Sequence, residues 1–300
     1  MQHVSKLAFG LSLAAGLGSF ASATQAAVVY GVTVDNTLVN FNSAAPGTLL
    51  DAVPISGFTV TNETIRGIDF RPATNELFAL GSFGQLYTLN KNTAVLTAVG
   101  ASAGPMSGSA FGFDFNPTID RIRLVSNTDR NYVINPTNGV RSQVTNVAFA
   151  GGDPNAGQDP NLVGSAYTNS FVGGVPATSQ LYGIDAGLDV LVTQANSAGT
   201  LATVGALGTV NTTDLVGFDI YSVAEGQNVA YASLTPLNGS ASNFYTINLD
   251  TGTAALVGQI NGGTLVTDIA VELAVVPEPA SLALLGIGAA ALLGRRRAVR

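Results

Sequence analysis

A four-strand pattern recurs along the chain and constrains the fold more than any other feature. A mostly apolar segment with Asp at its fifth position occurs at residues 65–70, 110–115 and 215–220. After each of the first two segments, three more short apolar segments follow in the same order, separated by Gly, Asn, Asp and Pro. A further copy begins at Leu162. The spacing of roughly 50 residues is typical of a four-stranded propeller blade.

The two ends of this region complement each other. The region opens with three strand-like segments, at residues 29–34, 37–41 and 48–55, and closes with a single one at residues 264–273. Together they make one more four-stranded unit, which leaves no free sheet edge where the ring closes. We therefore predict an all-β, five-bladed β-propeller, closed by pairing of the N- and C-terminal strands. An irregular β-sandwich could also use many short strands, but it explains neither the period nor the complementary ends.

The segments outside this region divide the chain into three parts. Residues 1–27 read as a secretory signal peptide, because Lys6 precedes an apolar run and small residues follow it up to Ala27. Residues 28–274 are the predicted propeller domain. Residues 275–300 form a separate tail, in which Pro277, Glu278 and Pro279 precede an apolar run that ends at Arg295, Arg296 and Arg297.

The tail resembles the PEP-CTERM sorting signal in all three of its parts and in their order. This resemblance implies that exosortase, a membrane protease, recognises the proline motif and cuts nearby. The apolar run is shorter than the roughly 20 residues of a stable span. We expect it to form a transmembrane helix that anchors the chain in the inner membrane transiently, with the arginines on the cytoplasmic side. The protein is then expected at the cell surface or outside the cell.

Composition excludes several classes of function. The chain has no cysteine, and its single histidine, His3, lies in the predicted signal peptide. The mature domain therefore lacks the residues for Ser-His-Asp and Cys-His catalysis and for histidine-based zinc sites. No Lys or Arg occurs between residues 142 and 276. Because binding of phosphates needs a basic surface, we expect no nucleic-acid partner.

The domain itself resembles a known bacterial family. The repeats, the Gly/Asp/Pro/Asn-rich stretch at residues 151–161 and the segment Ala166-Tyr167-Thr168-Asn169 are similar to the bacterial domain of unknown function 4394. The resemblance covers residues 30–273. It implies no established activity.

Three carboxylates occupy one equivalent position in the repeat, namely Asp69, Asp114 and Asp219. The first strand of a blade lies innermost, so these side chains could converge on the central channel and bind a ligand or a cation. Alternatively, each Asp accepts backbone N–H bonds and fixes a turn. The third blade has Ala166 at this position, and Asp268 of the closing blade aligns only approximately.

A second candidate site is the loop with Asp153, Asn155 and Asp159 at alternate positions around Gly157. This spacing resembles the opening of a calcium loop, although the bidentate Glu that ends an EF-hand is missing. A surface loop rich in Pro, Asn and Gly is the alternative. Calcium is the only cofactor that the sequence suggests.

Basic residues cluster in the second blade, where Arg121, Arg123 and Arg130 alternate with Asp120 and Asp129. An anionic sugar or phosphate could bind there. Because acids are interleaved with the arginines, a surface network of ion pairs is the simpler expectation.

These features favour a non-enzymatic, exported propeller with a binding or structural role in the extracellular matrix. The tail resemblance implies an association with exopolysaccharide and biofilm. One alternative is a carbohydrate-active hydrolase or lyase that uses carboxylates alone, since glycoside chemistry needs only two acids. Another is a calcium-stabilised adhesion module.

Overall fold

A computed structural model describes residues 26–208 and 210–275 of the chain. Most of the predicted signal peptide lies outside the described residues, and so does the tail after Val275 with its proline motif and arginines. Within the described ranges, no helix is long and apolar enough to cross a membrane. The predicted transmembrane run at residues 280–294 falls in the part that is not described.

The described chain consists of short strands joined by turns. Apart from two single-turn 3₁₀ helices at Asn196–Ala198 and Ile260–Gly262, its regular elements are all strands. In chain order they are β1 (Val28–Thr33), β2 (Thr37–Asn42), β3 (Ala45–Pro54), β4 (Ile65–Arg71), β5 (Glu76–Gly81), β6 (Leu86–Leu89), β7 (Leu96–Val99), β8 (Phe111–Asn116), β9 (Arg121–Ser126), β10 (Asn131–Ile134), β11 (Arg141–Gln143), β12 (Ala148–Phe149), β13 (Leu162–Tyr167), β14 (Leu181–Asp185), β15 (Val190–Gln194), β16 (Thr200–Ala206), β17 (Thr212–Ala224), β18 (Gln227–Pro236), β19 (Asn243–Ile247), β20 (Ala254–Gln259) and β21 (Val266–Val271).

Five antiparallel sheets form the blades of a β-propeller, as the repeat predicts. Blade 1 contains β4–β7, blade 2 β8–β11, blade 3 β13–β16 and blade 4 β17–β20, each with its first strand innermost. The closing blade has the order β21-β1-β2-β3. Blade 3 also has an unpredicted fifth strand, β12, which runs parallel to β16. The insertion before blade 3 supplies this strand, because Ala148 donates a hydrogen bond to the carbonyl of Gly199 at the outer edge of the sheet.

The ring closes by pairing of the first and last strands. β1 and β21 are antiparallel, with register partners from Val29–Val271 to Thr33–Val266. The backbone N–H of Glu272 extends this ladder by donating to the carbonyl of Val28 at 2.9 Å. The prediction that the termini share one blade is therefore confirmed, and the closing blade has no unpaired strand at its inner edge.

Aromatic and aliphatic side chains fill the spaces between blades. The three aromatic side chains next in sequence to the predicted Asp residues are almost completely buried, namely Phe70, Phe115 and Phe218. The rings of Phe78 in blade 1 and Phe115 in blade 2 meet edge to face with centroids 5.2 Å apart. Burying one such ring stabilises the fold by about 1.5–3 kcal/mol. Since the chain has no disulfide, packing of this kind holds the blades together.

Glycine allows the innermost strands to approach each other closely. A Cβ atom on Gly112 of blade 2 would lie 2.6 Å from Cβ of Ser165 in blade 3. A Cβ atom on Gly217 of blade 4 would lie 2.5 Å from the backbone nitrogen of Ile269 in the closing blade. Neither junction has room for a side chain, so these positions keep the axis of the propeller narrow.

Candidate functional site

The structure brings the three predicted carboxylates together at the centre of the ring. Asp69 on β4, Asp114 on β8 and Asp219 on β17 each offer an oxygen, and these oxygens all lie within 4.8 Å of one another. The side chains converge because β4, β8 and β17 are the innermost strands of their blades. None of the three residues is more than 5% exposed, so the cluster is buried inside the axis.

A fourth carboxylate, Asp268 on β21, belongs to the same cluster. In the sequence, it aligns only approximately with the repeat position of the other three. Asp268 lies two residues before Ala270, which occupies the repeat position of Asp69. Because alternate residues of a strand share one face, Asp268 faces the same side as the other three carboxylates. Its exposure is 3%, and the charge of Asp219 contributes to its pKa shift. We refer to Asp69, Asp114, Asp219 and Asp268 as the axial carboxylates.

Each axial carboxylate accepts a hydrogen bond from the backbone of the next blade. Oδ2 of Asp69 accepts from the N–H of Phe115 in blade 2 at 2.7 Å. Oδ1 of Asp114 accepts from the N–H of Tyr167 in blade 3 at 3.0 Å. These bonds link blade 1 to blade 2 and blade 2 to blade 3.

The same arrangement continues across the point of closure. Oδ2 of Asp219 accepts from the N–H of Val271 in the closing blade at 2.5 Å. Oδ2 of Asp268 accepts from the N–H of Ile68 in blade 1 at 2.8 Å. Thus Asp side chains bridge every junction except that between blades 3 and 4, where Ala166 occupies the equivalent position.

The second oxygen of three axial carboxylates binds the backbone of its own strand. Asp69 accepts from Phe70 at 2.7 Å, Asp219 from Ile220 at 2.6 Å and Asp268 from Ile269 at 2.9 Å. The alternative interpretation, that each Asp accepts backbone N–H bonds, therefore describes these residues in part: the bonds run between blades and within a strand, and none of them fixes a turn.

Burial dominates the electrostatics of this cluster. Desolvation raises the pKa of Asp69 and of Asp114 well above the usual value, and the charges of the neighbouring carboxylates raise it further. Desolvation also raises the pKa of Asp219 to about 6, although the N–H groups of Val271 and Ile220 oppose the shift. Desolvation likewise raises the pKa of Asp268 well above its usual range. The four carboxyl groups can share protons with one another, or their oxygens can hold a cation such as Ca²⁺.

One end of the axis is covered by the chain. We call the face on which β4, β8, β13, β17 and β21 end the tail face. Residues 168–180, between β13 and β14, cross this face from blade 3, since the N–H of Val172 donates to the carbonyl of Ala274 at 3.0 Å. Val172 and Val275 form a parallel bridge. Val172 and Leu273 also pack against the core between the closing blade and blade 1.

In the predicted calcium loop, the side chains of Asp153 and Asn155 form hydrogen bonds with other parts of the protein. Oδ1 and Oδ2 of Asp153 accept from the hydroxyl and the N–H of Thr203 at 2.7 and 2.6 Å. Nδ2 of Asn155 donates to the same hydroxyl at 2.9 Å. These bonds fasten the insertion to β16. Calcium binding by this loop stays a prediction.

Asp159, the third residue of that set, lies next to Asp129 of blade 2. The pKa of Asp129 is raised by burial and then by the charge of Asp159. Asp129 of blade 2 and Asp159 of the insertion therefore lie close together.

The basic residues of blade 2 do not form one surface network. Arg123 is 3% exposed, and its guanidinium donates to the side chain of Asn131 at 2.8 Å. Asp120 instead pairs with Arg71 of blade 1, where two guanidinium nitrogens bind the carboxylate at 2.5 and 2.8 Å. The sequence could not show this, because the ion pair crosses a junction between blades.

A polar groove lies between blades 3 and 4 and was missed by the sequence reasoning. It has a volume of about 450 Å³, and Tyr182 contributes an aromatic ring to its wall. Thr168, Asn248 and Asp250 provide polar groups nearby. No motif in the sequence marks Tyr182 or the residues around it.

Comparison with solved structures gives matches of low sequence identity. A putative 6-phosphogluconolactonase from Bacteroides uniformis is 17% identical, with a TM-score of 0.39, over 83% of this chain and 72% of its own. A Lactobacillus plantarum protein is 17% identical, with a TM-score of 0.38, over 81% and 71%. A protein of unknown function from Bacteroides thetaiotaomicron is 13% identical, with a TM-score of 0.48, over 84% and 68%. No curated protein matches the chain.

Comparison with protein families gives two matches. A PEP-CTERM protein-sorting motif covers residues 275–297. It indicates an exported protein that exosortase processes, placed at the cell surface or outside the cell. DUF4394, a domain of unknown function, covers residues 37–270. Since this match spans well over half of the sequence, the chain belongs to the DUF4394 family.

Proposed function

We propose that this protein is a non-enzymatic propeller that binds exopolysaccharide in the extracellular matrix of the cell that exports it. The tail would anchor the chain in the inner membrane until exosortase cuts it. The propeller would then act as a rigid binding module in a biofilm.

The bonding of the axial carboxylates is the observation that carries this proposal. A glycoside hydrolase needs two carboxyl groups that flank the sugar, one of them free to give a proton. Here, Asp69, Asp219 and Asp268 use both oxygens for backbone N–H groups, and none of the four axial carboxylates is more than 5% exposed. A sugar cannot reach them without separating the blades. The acids at the axis therefore support a structural role.

The groove between blades 3 and 4 supports the binding of a neutral sugar. The ring of Tyr182 is half-buried, whereas Asn248 and Asp250 are exposed. The amide and carboxylate can bind sugar hydroxyls, and the aromatic ring can pack against the apolar face of a pyranose. The half of the domain that contains this groove has no Lys or Arg, so an acidic polysaccharide would find no countercharge there.

The test measures binding and turnover on the same glycans. The exported protein is applied to an array of bacterial polysaccharides, and the polysaccharides it retains are incubated with it and analysed for released product. We expect retention without product. We also expect Tyr182→Ala and Asp250→Ala to lower retention severalfold.

Asp51→Ala, which removes an exposed carboxylate on β3, is the matched control and should bind normally. Loss of binding in this control as well, or equal binding by all variants, would contradict sugar binding in the groove between blades 3 and 4. Product release that disappears in Asp114→Asn would show instead that the protein is a carboxylate-dependent enzyme.

A further inference from the structure

The two ends of the described chain leave the propeller side by side on the tail face. β1 starts at Val28 and β21 ends at Val271, and the two strands are paired at these ends. Ala27 and Glu272 therefore lie next to each other. The predicted signal-peptide junction and the sorting motif both attach to this face.

The sorting motif begins at the surface of the folded domain. Its first residue, Val275, bridges Val172 in the loop that crosses the tail face. The apolar run starts five positions later, at Ala280. An extended chain covers at most about 3.6 Å per residue, so this run starts within about 18 Å of the propeller.

The tail face presents apolar side chains to its surroundings. Ile119, in the turn after β8, is 57% exposed, and Val175, in the crossing loop, is 75% exposed. These two residues line one shallow groove with Pro72 and Pro117. Val223, near the end of β17, is 41% exposed and borders a second groove beside Val275. These three residues thus lie on the face at which the tail leaves, while Val34, Phe83 and Leu237 are exposed on the opposite face.

Charged side chains of the tail face are partly neutralised in pairs. Arg71 and Asp120 form one ion pair, and Lys91 and Glu272 form another. Glu76, Glu225 and Asp250 are exposed acids near the ends of β4, β17 and β19. On the opposite face the turns and loops carry the acids Asp35, Asp159 and Asp189. Arg66, at the start of β4, and Arg130, between β9 and β10, lie on that face too, so charge does not distinguish the two faces for an anionic lipid surface.

We propose that the tail face lies against the outer surface of the inner membrane while the tail is inserted, with Ile119, Val175 and Val223 in contact with the lipid headgroup region. This inference rests on the anchoring that is part of the proposed function. The short connection holds the propeller at the membrane, and the exposed apolar residues gain from leaving water. The opposite face then points away from the cell.

Cysteine accessibility tests this orientation, because the chain contains no cysteine of its own. Single variants Ile119→Cys, Val175→Cys and Leu237→Cys are made in the full chain. Leu237 follows β18 on the opposite face and is 62% exposed, close to the value for Ile119. Each variant is reconstituted in vesicles of phosphatidylethanolamine and phosphatidylglycerol and treated with a membrane-impermeant maleimide. The reference is the same protein in detergent.

We expect the vesicles to slow labelling of Ile119→Cys and Val175→Cys severalfold and to leave Leu237→Cys unchanged. A flexible Gly/Ser insertion of about 20 residues after Val275 lets the domain move away and should restore most of the labelling rate. Equal labelling of the three cysteines in protein that floats with the vesicles would overturn the orientation alone. Protein that does not float with the vesicles would overturn the proposed anchoring and this inference together.

Discussion

Oδ2 of Asp268 accepts a hydrogen bond of 2.8 Å from the backbone N–H of Ile68, across a sequence separation of 200 residues. This bond joins the last strand of the propeller to the first strand of blade 1. Asp69, Asp114 and Asp219 make the corresponding bond at three other junctions. The axial carboxylates therefore connect consecutive blades around the ring.

Loss of Asp268 should weaken the closure of the ring. Asp268→Ala leaves the N–H groups of Ile68 and Ile269 without their acceptor, and a buried unsatisfied group costs about 1–3 kcal/mol. We expect the free energy of unfolding in urea to fall by about this amount at pH 5, where repulsion between the carboxylates is small. Asp268→Asn keeps one acceptor oxygen and should lose less.

Asp51→Ala serves as the control for this pair of variants and should be close to neutral, because Asp51 is exposed. If Asp268→Ala unfolds at the same urea concentration as Asp51→Ala, the bond to Ile68 does not stabilise the closed ring.

The junction between blade 4 and the closing blade should not tolerate a methyl group. In Gly217→Ala the new Cβ would lie 2.5 Å from the nitrogen of Ile269, so the strands must separate. Overpacking of this kind costs about 1–3 kcal/mol. Gly152→Ala is the matched control, because a Cβ there meets nothing within 4 Å. Thermal unfolding of both variants provides the comparison, and equal melting temperatures would show that the junction can widen freely.

Acidification should stabilise the protein between pH 8 and pH 5. The pKa values of the axial carboxylates are raised in the folded state, to about 6 for Asp219. A carboxyl group whose pKa is raised in the folded state stabilises the fold fully when the pH is below its unfolded-state pKa of about 3.9. This stabilisation is lost as the pH rises through the folded-state pKa. We therefore expect a melting temperature several degrees higher at pH 5 than at pH 8 in the presence of a chelator.

Other carboxylates do not reverse this trend in the same window. Arg71 lowers the pKa of Asp120 through a hydrogen bond, and a lowered pKa costs stability only as the pH falls through the lowered value. Asp219→Asn should reduce the pH dependence. A melting temperature that decreases steadily from pH 8 to pH 5 would show that ionisation of the axial carboxylates does not destabilise the folded protein.

The insertion loop provides a separate test of the calcium prediction. Asp153 accepts two hydrogen bonds from Thr203, so Asp153→Ala should detach the loop from β16 and lower stability by about 1–2 kcal/mol. We expect the same loss in calcium and in chelator. A loss that occurs only with calcium would show that the loop binds the ion and would favour a calcium-stabilised module.

The repeat made the fold predictable, whereas the contacts between blades were only partly so. The recurring Gly–apolar–Asp segments and the complementary ends indicated the number of blades and the pairing of β1 with β21. Asp268 was harder to place, because it occupies the position of Gly67 and not that of Asp69 in the repeat. A carboxylate at this earlier position still faces the next blade, since the two positions are two residues apart.

Contacts that depend on the packing of distant segments left no pattern in the sequence. The pair of Arg71 and Asp120 joins two blades, and the bridge of Val172 and Val275 joins a loop to the end of the domain. Each depends on where the ring places residues that are far apart in the chain. The burial of Arg123 has the same origin.

The most direct measurement of ring closure is a disulfide between the first and last strands. Glu272 donates to Val28, so the adjacent partners Val29 and Val271 form a non-hydrogen-bonded pair, the closer type in an antiparallel ladder. In this cysteine-free chain, Val29→Cys combined with Val271→Cys should oxidise to a single intramolecular disulfide, detected by mass spectrometry without reduction. Val29→Cys combined with Val266→Cys, at the other end of β21, should stay reduced. Free thiols in the first pair, or equal oxidation of both pairs, would contradict a propeller closed by β1 and β21.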